Sequence, residues 1–432
     1  MTSRNQRWIG IRRRDVLKGV AGFGAVILAS GVKGCAAPES SSEDTDTSSA
    51  PAETTDEVAE TAPNEVASGE PVKIGLVAAI TGGSALSGEA ITRGLTVAIN
   101  EVNESGGVLG GRPLELVIRD DESTPAKGVA AARELIEQEN VAIVFGGIDS
   151  PVSLAMLPVF HELEVPYMGV WAAATGITRN ENDPNFAFRV SANDNIVDRF
   201  LMKHVSETYD TKNVGLVLIN NPWGESNEKG FNQWAPEYSL NIVGTEKFND
   251  GDTDLSAQLT RLKEADAGAL LLVSNAAPGA QVMKSLTRLD WDVPVISHWG
   301  ISGGRFSELA GPDADKVVFV QTYSFYGNQG PVGEKVLSAL DETFGLSSPS
   351  DILAPVGTAN SYDALHLAAL ALDVAGGTDG PQLREAFYNL PTYEGLIKTY
   401  NQPFTPDNHD ALSEEDYILV QWKGEEIVPV EG

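Results

Sequence analysis

From residue 72 onward the chain alternates two hydrophobic patterns. Short aliphatic and β-branched runs, of strand length, are each followed by a longer stretch in which apolar residues recur every three or four positions. The runs predict strands over residues 72–79, 114–119, 141–145 and 166–170, and the stretches predict helices over 90–104, 125–139 and 152–163. A second series follows, with strands at 214–219, 241–246, 269–273 and 293–297 and helices at 195–209, 225–234, 255–264 and 277–289. Beyond it the pattern predicts a strand at 317–321, helices at 333–343 and 361–375, and a hairpin of 417–422 with 426–430 around Lys423-Gly424. Strand and helix in strict succession imply parallel sheets covered on both faces. Two such series, joined without a long linker, give an α/β fold of two doubly wound lobes facing each other across a cleft. Residues 71–432 also exceed one typical core.

The first 70 residues follow neither pattern. Arg12, Arg13 and Arg14 precede an uncharged, mostly apolar run over residues 19–32, the layout of an export signal and too short to span a membrane comfortably. The paired arginines before Val16-Leu17-Lys18 resemble a twin-arginine signal, which carries folded cargo. The run ends at Val32-Lys33-Gly34-Cys35, similar to a lipoprotein processing site, with Lys33 where such sites carry a small or apolar residue. That similarity implies lipid attachment at Cys35. Residues 36–70 hold no Lys or Arg and are dominated by Ser, Thr, Ala, Pro, Glu and Asp, a composition that cannot offset its ordering entropy and predicts a disordered acidic tether. The expected location is therefore the outer face of the cytoplasmic membrane, on the extracellular or periplasmic side, with the exported protein anchored there.

Charge removes several partners. With 30 basic against 61 acidic residues, the net charge of −31 repels nucleic acid and anionic membrane surfaces. The acidic residues are spread along the whole chain, which reads as a solubility adaptation to a salty, halophilic setting. Cys35 is the only cysteine, so a disulfide within one chain and a cysteine metal cluster are excluded. None of His161, His204, His298, His366 and His409 has a second histidine at metal-binding spacing, and only His298, just past a strand end, stands out. Gly106-Gly107-Val108-Leu109-Gly110-Gly111 lacks the Lys-Ser/Thr of a phosphate cradle and reads as a tight turn. Thr81-Gly82-Gly83-Ser84 does lie between a strand and a helix, where a parallel sheet offers backbone amides to a ligand. No nucleophile elbow accompanies a histidine. Asn103-Glu104-Ser105 matches a glycosylation tripeptide that is common by chance. The residues thus offer no positive feature for an enzyme, and no metal or cofactor motif.

Lys73-Ile74-Gly75-Leu76 with Thr81-Gly82, the segment Ile99-Asn100-Glu101-Val102-Asn103, and Gly106 to Arg112 occur in a telling order. Asp120-Asp121, Phe145-Gly146-Gly147, Gly251-Asp252-Thr253-Asp254-Leu255 and Ser361-Tyr362-Asp363-Ala364 follow. In this arrangement the chain resembles the periplasmic solute-binding proteins of the branched-chain amino acid (Leu/Ile/Val-binding) type, which serve ABC importers. The resemblance implies a type I binding-protein fold with three hinge crossings, near residues 189–193, 322–325 and 412–417. Lobe 1 would comprise residues 71–190 and 323–412, and lobe 2 residues 191–322 and 413–432. It implies ABC permease subunits as partners and a small polar or carboxylate-bearing solute, such as an amino acid, amide or aromatic acid, as ligand. A ligand-sensing module of the same fold is the alternative.

Candidate binding residues carried over by position are Ser87, Ser150, Ala173, Thr175, Asp194, Trp223, Asn275 and Trp299. In the family a serine after the third strand and a loop after the fourth grip the ligand carboxylate. Here these are Ser150, also expected to cap the helix entered at Pro151, and residues 172–175. The family's acidic residue for the ligand ammonium aligns with Trp299, so the cleft is expected to suit a carboxylate, amide or aromatic solute better than an α-amino acid.

Overall fold

The computed structural model describes residues 67–430. The chain divides into Met1–Thr61 and Ala62–Gly432, and the description below concerns the second unit. The expected export leader, Cys35 and most of the expected tether lie outside the described residues.

Five strands, β1 (Val72–Ala78), β2 (Leu114–Asp120), β3 (Val144–Gly146), β4 (Tyr167–Gly169) and β5 (Ala187–Arg189), form an all-parallel sheet in the order β2-β1-β3-β4-β5. The helices α1 (Ala85–Glu104), α2 (Pro125–Glu137) and α3 (Ser150–Glu162) make the crossovers. β1 sits between two neighbours and is buried at every position but Lys73, which is why it reads as a continuous apolar run rather than an alternating one.

The chain then passes to a second sheet through α4 (Asp194–Thr208). Its elements are β6 (Asn213–Ile219), α5 (Pro222–Trp234), β7 (Asn241–Phe248), α6 (Ser256–Glu264), β8 (Ala269–Val273), α7 (Ala276–Arg288), β9 (Val295–Ser297), α8 (Phe306–Ala310) and β10 (Val317–Gln321). The parallel part runs β7-β6-β8-β9-β10, repeating the strand order of the first sheet. After β10 the chain returns: α9 (Gly330–Phe344) and α10 (Pro355–Ala375) pack on α1, followed by α11 (Gly380–Phe387) and a small hairpin of β11 (Tyr393–Glu394) with β12 (Thr399–Tyr400). The α1–α10 contact is backbone-close. The Ser361 hydroxyl donates to the Ile91 carbonyl at 3.0 Å, and any side chain at Gly94 would collide with Ser361 and the Thr358 carbonyl. Asp410 then bridges Arg189 alongside β5, and the chain crosses once more to add β13 (Ile418–Lys423) and β14 (Glu426–Pro429), antiparallel, beside β10.

The predicted strands at 269–273 and 317–321 coincide with β8 and β10. Three differences have physical causes. α1 begins at Ala85, ahead of the predicted 90, because the helix carries straight on from the Gly82-Gly83-Ser84 turn. The N-cap position of α3 falls on Asp149, whose side chain makes no capping bond, and not on the expected Ser150, which is already helical with Pro151 behind it in the first turn. α11 was not predicted, although Asp379 caps it by accepting from the Gln382 N–H at 3.2 Å and Pro381 opens its first turn.

Candidate functional site

Each sheet changes direction beside its first strand, so each leaves a crevice past the C-terminal strand ends, between β1 and β3 and between β6 and β8. The loops from these ends converge on one pocket. Ile148, Asp149, Ser150 and Pro151 reach it from the end of β3, and Trp171 and Ala173 from the end of β4. Asn221 and Trp223 arrive from β6, Asn275 from β8 and Trp299 from β9. The free space is about 10 Å³, hardly more than one water. The two halves are therefore drawn together, and the Ser87 hydroxyl donates across the cleft to the Gly303 carbonyl at 2.8 Å. A side chain at 303 would run into Ser87 and Trp171.

Three helices begin at the pocket. Asn221 caps α5, its side chain accepting from the Trp223 and Gly224 N–H groups at 2.9 and 3.2 Å. Asp149 and Asn275 stand at the same position on α3 and α7 without capping through their side chains. Both side chains are consequently free to serve the cleft, and the first-turn N–H groups of the three helices favour negative charge there.

Of the candidate residues, Ser150, Ala173, Trp223, Asn275 and Trp299 come together on this pocket. The Ser150 hydroxyl accepts from the Ala174 N–H at 3.1 Å, which ties the start of α3 to the loop after β4. Ser87 is placed differently: it is fully buried and latches the two halves instead of lining the pocket. Thr175 faces an adjoining, wider groove of about 400 Å³ shared with Pro222, Glu225 and Ser226. Its N–H donates to the Ser226 hydroxyl at 3.0 Å and its own hydroxyl to Asn193 Oδ1 at 3.2 Å.

Asp194 lies behind the wall, fully buried, where it orients the aromatic residues. It accepts from Trp223 Nε1 at 3.1 Å, and His298 Nε2 stands 3.1 Å from the same oxygen. His298 Nδ1 accepts from the Trp299 N–H at 2.9 Å, so the ring proton lies on Nε2, toward Asp194. Asp198 is buried beneath with neither carboxylate oxygen partnered. Burial first, and the like charge of Asp194 second, push its carboxyl well above the usual carboxylate range.

A second buried network fixes the loop after β4 from the other side. The Arg189 guanidinium is completely enclosed; Nη1 donates to the Ala172 and Ala174 carbonyls at 3.3 and 3.0 Å, and Nε to Asp410 Oδ1 at 2.8 Å. Asp410 also accepts from the Thr178 hydroxyl at 2.8 Å and from Asn193 Nδ2 at 2.7 Å. Burial alone would raise the Asp410 carboxyl, but Arg189 and these donors outweigh it and hold it below the usual range.

Asp149, Trp171 and Asn221 line the pocket but were not among the candidates. Each adjoins a residue or loop that was, Asp149 before Ser150, Trp171 before the 172–175 loop, and Asn221 two places before Trp223. Asp149 is the most unusual. The residue as a whole is half-buried, yet its carboxylate is enclosed and Oδ2 has no hydrogen-bond partner. Burial, reinforced by the like charge of Asp250, raises its carboxyl, while hydrogen bonds with Ser123 and Asn275 act in the opposite direction. Among the described residues there is no cluster of metal-ligating side chains and no helix long and apolar enough to cross a membrane.

The profile of a family described as periplasmic binding protein matches residues 71–426. The Leu/Ile/Val-binding protein homolog 3 of Brucella melitensis is 23% identical over 361 residues, spanning 83% of this chain and 94% of that protein. The periplasmic binding protein type 1 of Bordetella pertussis superposes with a TM-score of 0.76 at 21% identity, over 84% of this chain and all of that one. An ABC transporter solute-binding protein of Rhodopseudomonas palustris, solved with 3,4-dihydroxybenzoic acid, gives 0.70 at 22% identity over 84% and 96% of the two chains.

Proposed function

Because the chain belongs to the periplasmic binding protein family, we propose that it is the extracytoplasmic receptor of an ABC importer for a small carboxylate-bearing solute. Its relatives bear names for Leu/Ile/Val binding and, in the R. palustris structure, hold an aromatic acid. Proteins of this family bind their solute and release it unchanged. The observation that carries the reading is the pocket at the two facing switch points, walled from both sheets and entered by the starts of α3, α5 and α7. Ser150, Ala173 and Asn275, with the first-turn amides of α3 and α7, take the solute carboxylate. Trp223 and Trp299 cover its apolar part.

Lobe 1 comprises residues 71–190 and 323–412 and lobe 2 residues 191–322 and 413–432. The solute binds the closed arrangement better than the open one and so drives hinge closure. The Ser87–Gly303 contact and the Thr175–Ser226 contact close with it. The closed form then docks on permease subunits. Lipid on Cys35 and the acidic tether hold the receptor at the outer membrane face, and the charge of −31 suits it to high salt.

Thermal unfolding of the purified protein in molar salt, titrated with amino acids, amides, aromatic acids and sugars, tests the binding reading. A melting temperature that rises with solute concentration is expected, because binding to the folded state alone must stabilise it. No rise with any class overturns the receptor assignment. For the anchor, Cys35→Ser should move the protein from the membrane fraction to the soluble one.

A further inference from the structure

The pocket wall carries a single charge, and that charge is negative. Among its lining residues Asp149 alone is ionisable, and the rest are Ile, Ser, Pro, Ala, Asn and three Trp. An enclosed carboxylate oxygen without a donor is costly unless a cation or a proton joins it. No Lys or Arg of the wall does so, and the side chain is not engaged in capping α3. Two further carboxylates deepen the negative field, Asp250 on the loop after β7 and Asp121 after β2.

Around Asp149 stand Trp171, Trp223 and Trp299. The Trp171 and Trp299 rings lie with centroids 6.2 Å apart, tilted by 55°. Trp223 is locked by its Nε1 bond to Asp194, and Trp299 is held through His298. Indole faces attract organic cations, most strongly where water is excluded, and they offer no ligand atom to a metal ion.

Resting on the receptor reading above, we propose that the solute carries a positively charged nitrogen, and that Asp149 with the indoles of Trp171, Trp223 and Trp299 is its site. The charge that Trp299 does not supply from the second lobe thus comes from the first. The solute class is a zwitterion or organic cation, with its carboxylate, where present, directed to the helix starts. The 10 Å³ of the shut pocket is taken up by the approaching indoles, which separate as the lobes open to admit the solute.

The test compares the wild-type protein and Asp149→Asn, full chain, by calorimetric titration in molar salt. Its solutes are leucine, its nitrogen-free counterpart 4-methylpentanoate, trimethylglycine, choline and benzoate. The expected result is that at least one nitrogen-bearing cation or zwitterion binds the wild type, that Asp149→Asn weakens it about 30-fold or more, and that the nitrogen-free acids bind neither protein well. Melting of unliganded Asp149→Asn at or above the wild-type temperature certifies its fold. Binding of 4-methylpentanoate or benzoate equally to both proteins overturns the cation site and leaves the receptor standing. Equal affinity of a cationic solute for both also overturns it. If none of the five binds the wild type, the cation site falls, and a rise of melting temperature with amides or sugars shows that the receptor reading survives it.

Discussion

Asp149 and Asp410 are both enclosed carboxylates of the same lobe, each beside the loop that follows β4, yet they are treated in opposite ways. Asp410 is saturated: Arg189, Thr178 and Asn193 all donate to it, and its carboxyl is held down. Asp149 has one oxygen without a partner, and burial raises its carboxyl. A saturated buried ion pair has nothing left to offer a ligand and serves the frame. An unsaturated one is poor for the frame and has a bond to give. The contrast separates the part of the molecule that stays fixed from the part that waits for the solute.

The sharpest way to break this contrast is Arg189→Met, which strands Asp410 in the interior and frees the Ala172 and Ala174 carbonyls. A loss of about 3–5 kcal/mol in denaturant unfolding is expected. A loss below about 1 kcal/mol would remove the distinction between the two aspartates. Glu101, in the α1–α9–α10 layer, is also held down by its donors, although they all converge on Oε2 and Oε1 has no partner. Burial alone would raise its carboxyl, but hydrogen bonds from His366, Lys335 and Tyr362 bring it down to about 2. Since its folded value lies below its unfolded one, the stability it adds is complete above about pH 4.5 and vanishes as pH falls through about 2. Glu101→Gln should cost about 3 kcal/mol at pH 7 and nearly nothing at pH 2, read from unfolding midpoints at the two pH values.

Asp121, near Asp149, belongs to the opposite class. Burial, with the neighbouring charges of Asp149 and Asp120, lifts its carboxyl to about 6 against the pull of the Ser123 N–H. The folded state then holds its proton more tightly than the unfolded one, so stability falls as pH rises from about 4 to 6. Asp121→Asn should therefore stabilise by about 2 kcal/mol at pH 7 and leave pH 4 unchanged. A loss of stability at pH 7 would place Asp121 with the framework. The smallest effect concerns the latch. Ser87→Ala removes one buried interlobe hydrogen bond, about 1 kcal/mol, and should weaken solute affinity about fivefold while leaving lobe stability almost intact. Unchanged affinity would mean that the contact does not report closure.

The fold was legible because the strands are buried on both faces. The runs that became β8 and β10 are aliphatic and β-branched, and their bounds follow from that alone. What escaped is held by distant partners. The β11–β12 hairpin owes its form to Asp363 on α10, which accepts from the Leu396 and Ile397 N–H groups at 2.6 and 2.9 Å and from the Tyr400 hydroxyl at 2.8 Å. No local pattern around residue 393 announces that. The site divides in the same manner. Ser150, Trp223 and Asn275 lie at strand ends, where parallel sheets present ligands, and it was the family resemblance that nominated them. Asp149 and Trp171 stand directly beside nominated positions, but which of two adjacent side chains turns into a cleft depends on the other lobe. Asp194 and His298 show the converse, since their chemistry drew notice while the fold set them behind the wall.

Three of the chain's seven tryptophans stand where the lobes part company. When the cleft opens, Trp171 and Trp299 must separate and meet water, whereas Trp234, Trp291 and Trp422 move as passengers of a single lobe. Emission should redden on opening and return on solute capture, with no label attached. The receptor therefore carries its own aperture gauge, and the speed of its closing can be read from the light of its native side chains.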